Sequence, residues 1–295
     1  MDVQPLPSSI VAARRALAAA TADYLAIAEA ALERPWPWGG RTSPDGVRYG
    51  IYRAAETVEA AAAEVEAALA GAPARPAGGL RIAPATVARW ALQGRLAGLP
   101  DSILDRVPKD GEWTARQTLA HTVDGQRSYG WFTRWWLAQS PGSDRPSRPT
   151  AEAEAQSTLE LPGEDAEGAG TVADIRARLD AVLDEWGLRF ATLDSRAVGL
   201  PASWAGVTVD IGFRLGRWAS HIAEHTVQLD KTLDWLAYRP TEPERIVREL
   251  HVTWGRLESR LFPDAGSVPA VDTILARMSD TLVAEAAGTR AAAQA

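Results

Sequence analysis

Residues 218–229 read Trp-Ala-Ser-His-Ile-Ala-Glu-His-Thr-Val-Gln-Leu, and they place His221 and His225 four positions apart. Side chains at i and i+4 of an α-helix share a face, so a helix over this stretch points both imidazoles the same way. A third histidine, His121, lies in another helix-like run that begins near Trp113. The chain holds only four histidines. Three imidazoles on two facing helices would make a metal site of three nitrogens with an open coordination position.

The faces of the two helices support this hypothesis. One side of the helix that carries the histidine pair is apolar and predicts a core stripe: Leu215, Ile222, Leu229, Leu233 and Leu236. A polar stripe runs beside it: Arg214, His221, His225, Gln228 and Thr232. The other helix has a comparable polar face: Gln117, His121, Asp124 and Ser128. A polar stripe that borders an apolar one suits the wall of a cleft. Ordinary hydrogen-bonded groove histidines are the alternative, which the pattern leaves open.

Composition excludes several classes of function. The 295-residue chain has a formal net charge of −7 and no basic block, so we expect no nucleic-acid surface. No apolar run approaches the roughly 20 residues of a membrane span, and the N-terminus lacks a signal-peptide pattern, so we expect a cytoplasmic protein. There is no cysteine. Zinc–thiolate sites and cysteine nucleophiles are therefore excluded, and a thiol can enter the chemistry only as a cofactor or substrate.

The periodicity predicts an all-α chain without strands. Predicted helices cover roughly 8–33, 48–70, 84–97, 114–139, 171–193, 210–237, 243–261 and 270–287. We expect Ser8 or Ser9 to cap the first helix, and Thr114 with Gln117 to form a capping box. The segments between and after the helices are expected to be irregular: a turn-rich loop at 35–46, a linker at 71–83, a long mobile loop at 140–170 and a fraying alanine-rich tail.

These helices suggest three regions. Residues 1–72 form an N-terminal helical hairpin, residues 84–238 a four-helix bundle that carries the three histidines, and residues 242–290 a C-terminal helical pair. The outer helices either pack onto the bundle or form a second small bundle, and the sequence does not decide between these arrangements.

The order of the motifs resembles the DinB-like superfamily. The matching residues are Trp113-Thr114, Leu119-Ala120-His121 and His221-x-x-x-His225-x-x-Gln228-Leu229. That group includes thiol-dependent transferases and mycothiol-dependent maleylpyruvate isomerases. Over residues 84–238 the resemblance implies a four-helix bundle in which His121, His221 and His225 bind a divalent metal, commonly zinc or nickel.

The sequence departs from the family pattern in two places. Thr226-Val227 stands where members often have Arg-Gly, which leaves details of the pocket open. The helices before 84 and after 242 are not part of the common core, which leaves the substrate open.

The resemblance implies a metal-dependent enzyme that activates a mycothiol-like thiol, or water, for transfer or isomerisation on a small substrate. Asp124 and Glu224 are the candidates for proton transfer or for orienting an imidazole. Arg214, Arg217 and Gln228 are candidates for substrate binding. Solvated surface charges are the alternative for these acids and arginines. His251 has no partner at ligand spacing, so we expect it outside the site.

Two other functions stay open at this point. The first is metal-assisted hydrolysis, for which no general base is evident in the sequence. The second is a metal-binding or stress-response helical protein without turnover, because a fold does not by itself deliver chemistry. The expected partners are a small-molecule thiol or substrate, and a homodimer is left open.

Overall fold

The computed structural model describes residues 5–38, 41–140, 142, 145–262 and 268–295. Its α-helices, in chain order, are α1 (Ser8–Leu25), α2 (Val47–Leu69), α3 (Ala77–Leu96), α4 (Ala115–Ala138), α5 (Ala151–Glu160), α6 (Glu164–Glu167), α7 (Val172–Phe190), α8 (Ser195–Val198), α9 (Ile211–Trp235), α10 (Glu242–Leu261) and α11 (Pro269–Gln294). Four short strands form two antiparallel hairpins: β1 (Trp36–Trp38) with β2 (Arg41–Ser43), and β3 (Pro201–Trp204) with β4 (Val207–Asp210). The fold class is all-α, as the sequence predicts, but the two short hairpins correct the expectation of a chain without strands.

The described residues form two compact units. One contains Arg75–Arg89 and Leu99–Arg239, and we call it the histidine unit. The other contains Pro5–Ala74, Trp90–Gly98 and Pro240–Ala295, and we call it the terminal unit. The N-terminal and C-terminal helices therefore belong to one compact unit. The two segments of the histidine unit alternate in sequence with the three segments of the terminal unit.

The histidine unit contains α4, α7 and α9 and the first part of α3, up to Arg89; these are the four helices predicted in series. Helix α4 packs against both α7 and α9. The apolar stripe predicted on α9 is buried, with Leu215, Ile222 and Leu229 fully inaccessible to solvent. Large aromatic side chains fill the rest of this core: Trp136, Trp186, Phe190 and Trp218.

Side-chain caps fix where the main helices of this unit begin. The Thr114 hydroxyl accepts a hydrogen bond from the Gln117 amide at 3.2 Å, and the Gln117 side chain accepts one from the Thr114 amide at 2.9 Å. This confirms the predicted capping box, which satisfies amides that have no partner within the helix. Thr171 and Asp174 form the same motif at the start of α7. Asp210 caps α9 by accepting from the Phe213 amide at 2.6 Å.

The terminal unit is a second set of packed helices, in which α11 packs against α1 and α2, and α10 against α2 and α1. Its core contains a buried ion pair. The Arg14 guanidinium donates to the Glu258 carboxylate at 2.7 Å and 2.9 Å, and Glu258 is fully buried. The Trp254 indole also donates to Glu258, at 3.0 Å. The bidentate geometry and the indole offset part of the cost of removing this carboxylate from water.

Several predicted boundaries are wrong, because tertiary contacts outweigh local composition. Helix α1 ends at Leu25 rather than near residue 33, and the turn that follows buries Ile27 and Leu32. Its N-cap is Pro7, without a side-chain cap from Ser8 or Ser9. Helix α3 begins inside the predicted linker. The amides of Gly78 and Gly79 donate to the carbonyls of Leu193 and Ala191, each at 2.8 Å, and this satisfies the first turn.

The segments predicted to be irregular contain further structure. The predicted mobile loop 140–170 holds α5 and α6, and Thr150 caps α5 by accepting from the Ala153 amide. The turn-rich loop 35–46 forms a hairpin, whose positions 39 and 40 lie outside the described residues. The alanine-rich tail does not fray, because Ala286, Thr289 and Ala293 are buried and hold α11 to Gln294. Within the described part of the chain, no helix combines the length and apolarity needed to cross a membrane.

Gly130 on α4 offers a test of the packing between α4 and α7. A Cβ at this position would lie 2.3 Å from the ring of Trp186, so Gly130→Ala must displace that indole. We expect the variant to lower the free energy of unfolding by roughly 1–3 kcal/mol, measured in urea. Gly216→Ala on α9 is the control, since a Cβ there meets nothing within 4 Å. It should raise stability by roughly 0.5–1 kcal/mol. Equal effects of both variants would contradict the packing.

Candidate metal centre

Helix α9 places His221 and His225 at the edge of the core. Both histidines lie beside the buried apolar stripe of α9, and the exposed fractions of His221 and His225 are only 4% and 8%. Their ring centroids lie 4.3 Å apart, and the two Nε2 atoms are 3.1 Å apart. The spacing of four residues thus brings the two imidazoles to one point, as the helical geometry predicts.

Helix α4 supplies the third imidazole. The ring of His121 lies 5.4 Å from the His221 ring and 4.8 Å from the His225 ring, measured between centroids. One potential ligand atom from each of the three histidines can be chosen so that all lie within 4.8 Å of one another. Nitrogens that share one zinc ion, each at about 2 Å, are separated by roughly 3–3.5 Å. Small side-chain adjustments would therefore close the cluster around one ion. Trp113, at the start of this run, contacts His121 edge-on with ring centroids 5.1 Å apart.

Close approach of the two helices makes this convergence possible. Gly125 lies one turn after His121, and a Cβ at this position would be 2.5 Å from Cε1 of His221. The imidazole of His221 therefore occupies the space that any larger residue at 125 would fill. Tyr129, one turn further along α4, contacts His221 edge-on, with ring centroids 5.1 Å apart.

Each imidazole has a hydrogen-bond partner at Nδ1. Glu164 Oε1 lies 2.6 Å from Nδ1 of His121, and Gln228 Oε1 lies 2.8 Å from Nδ1 of His225. The Gln126 amide lies 3.1 Å from Nδ1 of His221. Partners at Nδ1 are typical of metal-binding histidines, because they fix the ring and leave Nε2 free as the ligand.

Gln126 provides a test of whether the cluster fits a cation. Its Nε2 faces both the carbonyl of Trp218 and Nδ1 of His221, while its buried Oε1 has no hydrogen-bond partner among the described residues. A half-turn of this amide would let Oε1 accept from Nδ1–H of His221 and leave Nε2 of that imidazole bare, at the cost of the 3.4 Å contact between Nε2 of Gln126 and the Trp218 carbonyl. That tautomer is the one a metal requires, so the residues fit the group.

Burial keeps the histidine pair uncharged. Desolvation, reinforced by the neighbouring His225 and His121, lowers the pKa of His221 to about 3. Desolvation also lowers the pKa of His225, although its hydrogen bond to Gln228 opposes the shift. Both imidazoles are therefore neutral near pH 7, and the neutral imidazole is the form that binds metal.

The two acidic candidates occupy different environments. Asp124 is half-buried, and desolvation together with Glu164 and Glu167 raises the pKa of its carboxyl group. Glu224 is exposed and pairs with Arg217 at 2.7 Å. Asp124 thus lies in the electrostatic field of the cluster, whereas the contact of Glu224 is with a guanidinium.

Arg214 is buried, and two of its nitrogens donate hydrogen bonds. It donates to the Ser203 carbonyl at 2.7 Å and to the Thr133 hydroxyl at 3.3 Å, and burial lowers its pKa to about 10. These contacts tie the β3–β4 hairpin and α4 to α9.

Arg217 is half-buried and lies close to the histidines. Its guanidinium stands 5.2 Å from the centroid of the Trp204 ring, and its charge helps to lower the pKa of His221. It also interacts with Tyr129, the residue whose ring contacts His221. Arg217, Tyr129 and Trp204 thus form an aromatic and cationic surface beside the cluster.

Sequence reasoning missed Glu164, Gln126, Tyr129 and Gly125. Glu164 lies in the segment predicted to be a mobile loop and gave no signal. An isolated glycine inside a helical pattern often marks a close packing contact, so Gly125 was the one clue available. His251, expected outside the site, belongs to the terminal unit, where its Nε2 lies 3.0 Å from the Thr21 hydroxyl.

Comparison with known families identifies the family of the histidine-bearing region. Residues 85–229 match the model of the DinB superfamily. This range contains all three histidines and lies within the 84–238 region for which the sequence motifs predicted the relationship. Neither the curated proteins nor the solved structures contain a match to the chain.

Proposed function

Residues 85–229 belong to the DinB superfamily, and we propose that His121, His221 and His225 hold one divalent metal ion, zinc or nickel, in an enzyme that activates a small thiol. The reaction class is transfer of the thiol to a small electrophilic substrate or thiol-assisted isomerisation. The observation that carries the proposal is the convergence of three imidazoles, each of which has a hydrogen-bond partner at Nδ1.

Three nitrogen ligands suit a catalytic rather than a structural centre, since they leave a coordination position open. One third of the His121 side chain is exposed, so the cluster can be approached from that side. A divalent cation held there supplies Lewis acidity, which lowers the pKa of a thiol or of water that reaches it.

The chain has no cysteine of its own. A thiol nucleophile must therefore come from a small molecule, of which mycothiol is the type that the family suggests. Small thiols of this kind are anionic or carry polar groups, and Arg217 is a half-buried cation whose charge acts on His221. We assign it to binding the anionic group of the thiol or of the substrate.

The other polar side chains have distinct tasks in this proposal. Glu224 holds the Arg217 guanidinium, and Gln228 orients His225 rather than contacting substrate. Asp124 accepts the proton that the thiol loses, because a carboxylate with a raised pKa is a better base than an ordinary one.

The metal assignment predicts a specific loss. Protein purified without a histidine tag should hold about one equivalent of divalent metal, and His221→Ala should hold almost none while its helix content stays unchanged. Plasma mass spectrometry and circular dichroism measure these two quantities. His251→Gln removes the fourth histidine and should retain the metal. Full occupancy in His221→Ala would contradict the ligand set.

The reaction class predicts turnover that needs both metal and thiol. Metal-loaded protein should consume mycothiol with small electrophiles, or isomerise a substrate such as maleylpyruvate in its presence, and chelation should abolish the rate. Turnover without thiol would instead indicate metal-assisted hydrolysis. Bound metal without turnover over a broad panel of thiols and electrophiles would favour a non-catalytic metal-binding protein.

The role of Arg217 predicts a separation of binding from chemistry. Arg217→Met should raise KM for the anionic reactant by roughly tenfold or more, with a smaller change in kcat, because a charge-assisted contact is lost. Steady-state kinetics measure both constants. Arg196→Met removes an exposed charge on α8 and should leave KM unchanged. An unaltered KM in Arg217→Met would exclude this binding role.

A further inference from the structure

The carboxylate of Glu164 binds the ring of His121 at Nδ1, with Oε1 2.6 Å from that nitrogen. We propose that Glu164 is the positioning residue of the metal centre, which fixes the ring and the tautomer of His121 so that Nε2 is the metal ligand. The inference rests on the proposed metal centre. It adds to that centre a residue from α6, outside the two helices that carry the histidines.

The chemistry of the contact determines the tautomer. An ionised carboxylate can only accept hydrogen bonds, so Nδ1 of His121 must carry the proton that is shared with Glu164. In a neutral imidazole the other nitrogen is then bare, and its lone pair is available to a cation. A carboxylate at Nδ1 also raises the basicity of the imidazole as a ligand.

The partners of the other two histidines differ in this respect. His221 and His225 face the side-chain amides of Gln126 and Gln228. An amide presents a donor on one side and an acceptor on the other, so it accommodates either tautomer by a half-turn. Of these three partners, only Glu164 restricts its histidine to one tautomer. His121 is also the most exposed of the three histidines, so packing against neighbouring side chains restrains its ring the least.

The geometry distinguishes Glu164 from a fourth ligand. Its contact with His121 is at Nδ1, and the ligand group found among the described residues contains the three histidines without a carboxylate. Glu164 therefore acts through His121 and leaves the coordination position open. A metal with four protein ligands would be a structural centre instead.

Contacts that do not involve Glu164 hold its segment in place. Glu167 at the end of α6 is buried and forms an ion pair with Arg127 of α4, the helix that also bears His121. Arg178 donates to the Glu167 carbonyl at 2.8 Å. Arg116 of α4 donates to the Gly170 carbonyl at 2.8 Å. Removal of the Glu164 side chain should therefore leave α6 where it is.

The same segment approaches α4 closely beside the histidine. A Cβ on Gly168 would lie 2.8 Å from Cβ of Ala120, the residue that precedes His121. Glu164 itself is about half exposed. A surface ion pair of this kind adds little to folding stability. Its consequence lies in the geometry of His121 rather than in the free energy of unfolding.

Zinc affinity of the full-length protein tests the inference. The dissociation constant is measured by competition with a chromophoric chelator for the wild type, Glu164→Ala, Glu164→Gln and Asp165→Ala. We expect Glu164→Ala to weaken zinc binding roughly 10–100-fold. Glu164→Gln keeps an acceptor oxygen for Nδ1–H and should recover most of the affinity. Asp165→Ala removes the neighbouring exposed carboxylate of α6 and should bind zinc like the wild type.

A second measurement separates orientation from net charge. In the zinc-loaded protein the Nδ1–H proton of His121 should give a downfield NMR signal in the wild type and in Glu164→Gln, and the signal should be lost in Glu164→Ala. Unchanged zinc affinity in Glu164→Ala would overturn the inference and leave the metal centre intact. An equal loss in Asp165→Ala would also overturn it, as a general charge effect. A wild type that binds no zinc or nickel would overturn the metal centre itself.

Discussion

The close approach of α4 and α9 at Gly125 is the constraint on which the candidate site depends. A single additional carbon at this position would collide with the ring of His221 at 2.5 Å. Glycine inside a helix costs roughly 0.5–1 kcal/mol relative to alanine, so the chain gives up helix stability at this point. The absence of a side chain at Gly125 allows the imidazole of His221 to lie against the backbone of α4. Without that space, the spacing of His221 and His225 would give a pair on one helix and not a cluster of three.

Local rules account for the parts of this structure that the sequence predicts. The Thr114–Gln117 capping box involves residues three apart, so it is visible in the chain before folding. The apolar stripe of α9 and the shared face of its two histidines follow from the helical repeat alone. The convergence of His121 with them was a hypothesis supported by a family resemblance, because no local rule sets the distance between two helices.

The parts that the sequence did not predict depend on contacts between distant residues. Helix α3 begins at Ala77 because carbonyls more than a hundred positions away accept its first amides. Helix α5 lies in a polar, proline-containing stretch, and Glu160 at its end accepts a hydrogen bond from the Trp131 indole at 2.6 Å. Glu164 reaches His121 across 43 positions. Neither periodicity nor composition of 140–170 carries this information, which is why the segment resembled a loop.

The hydrogen bonds around the cluster favour a cation at its centre. A proton on Nδ1 of each imidazole, donated to Glu164, Gln228 and a turned Gln126, would leave Nε2 of each ring bare, and the Nε2 atoms of His221 and His225 are only 3.1 Å apart. Their lone pairs repel one another, and either protons or a metal ion would relieve that repulsion. Protonation is opposed by burial, which lowers the pKa of His221 to about 3. A divalent ion satisfies all three nitrogens at once without charging any imidazole, so the arrangement that is unfavourable for a proton is favourable for a metal.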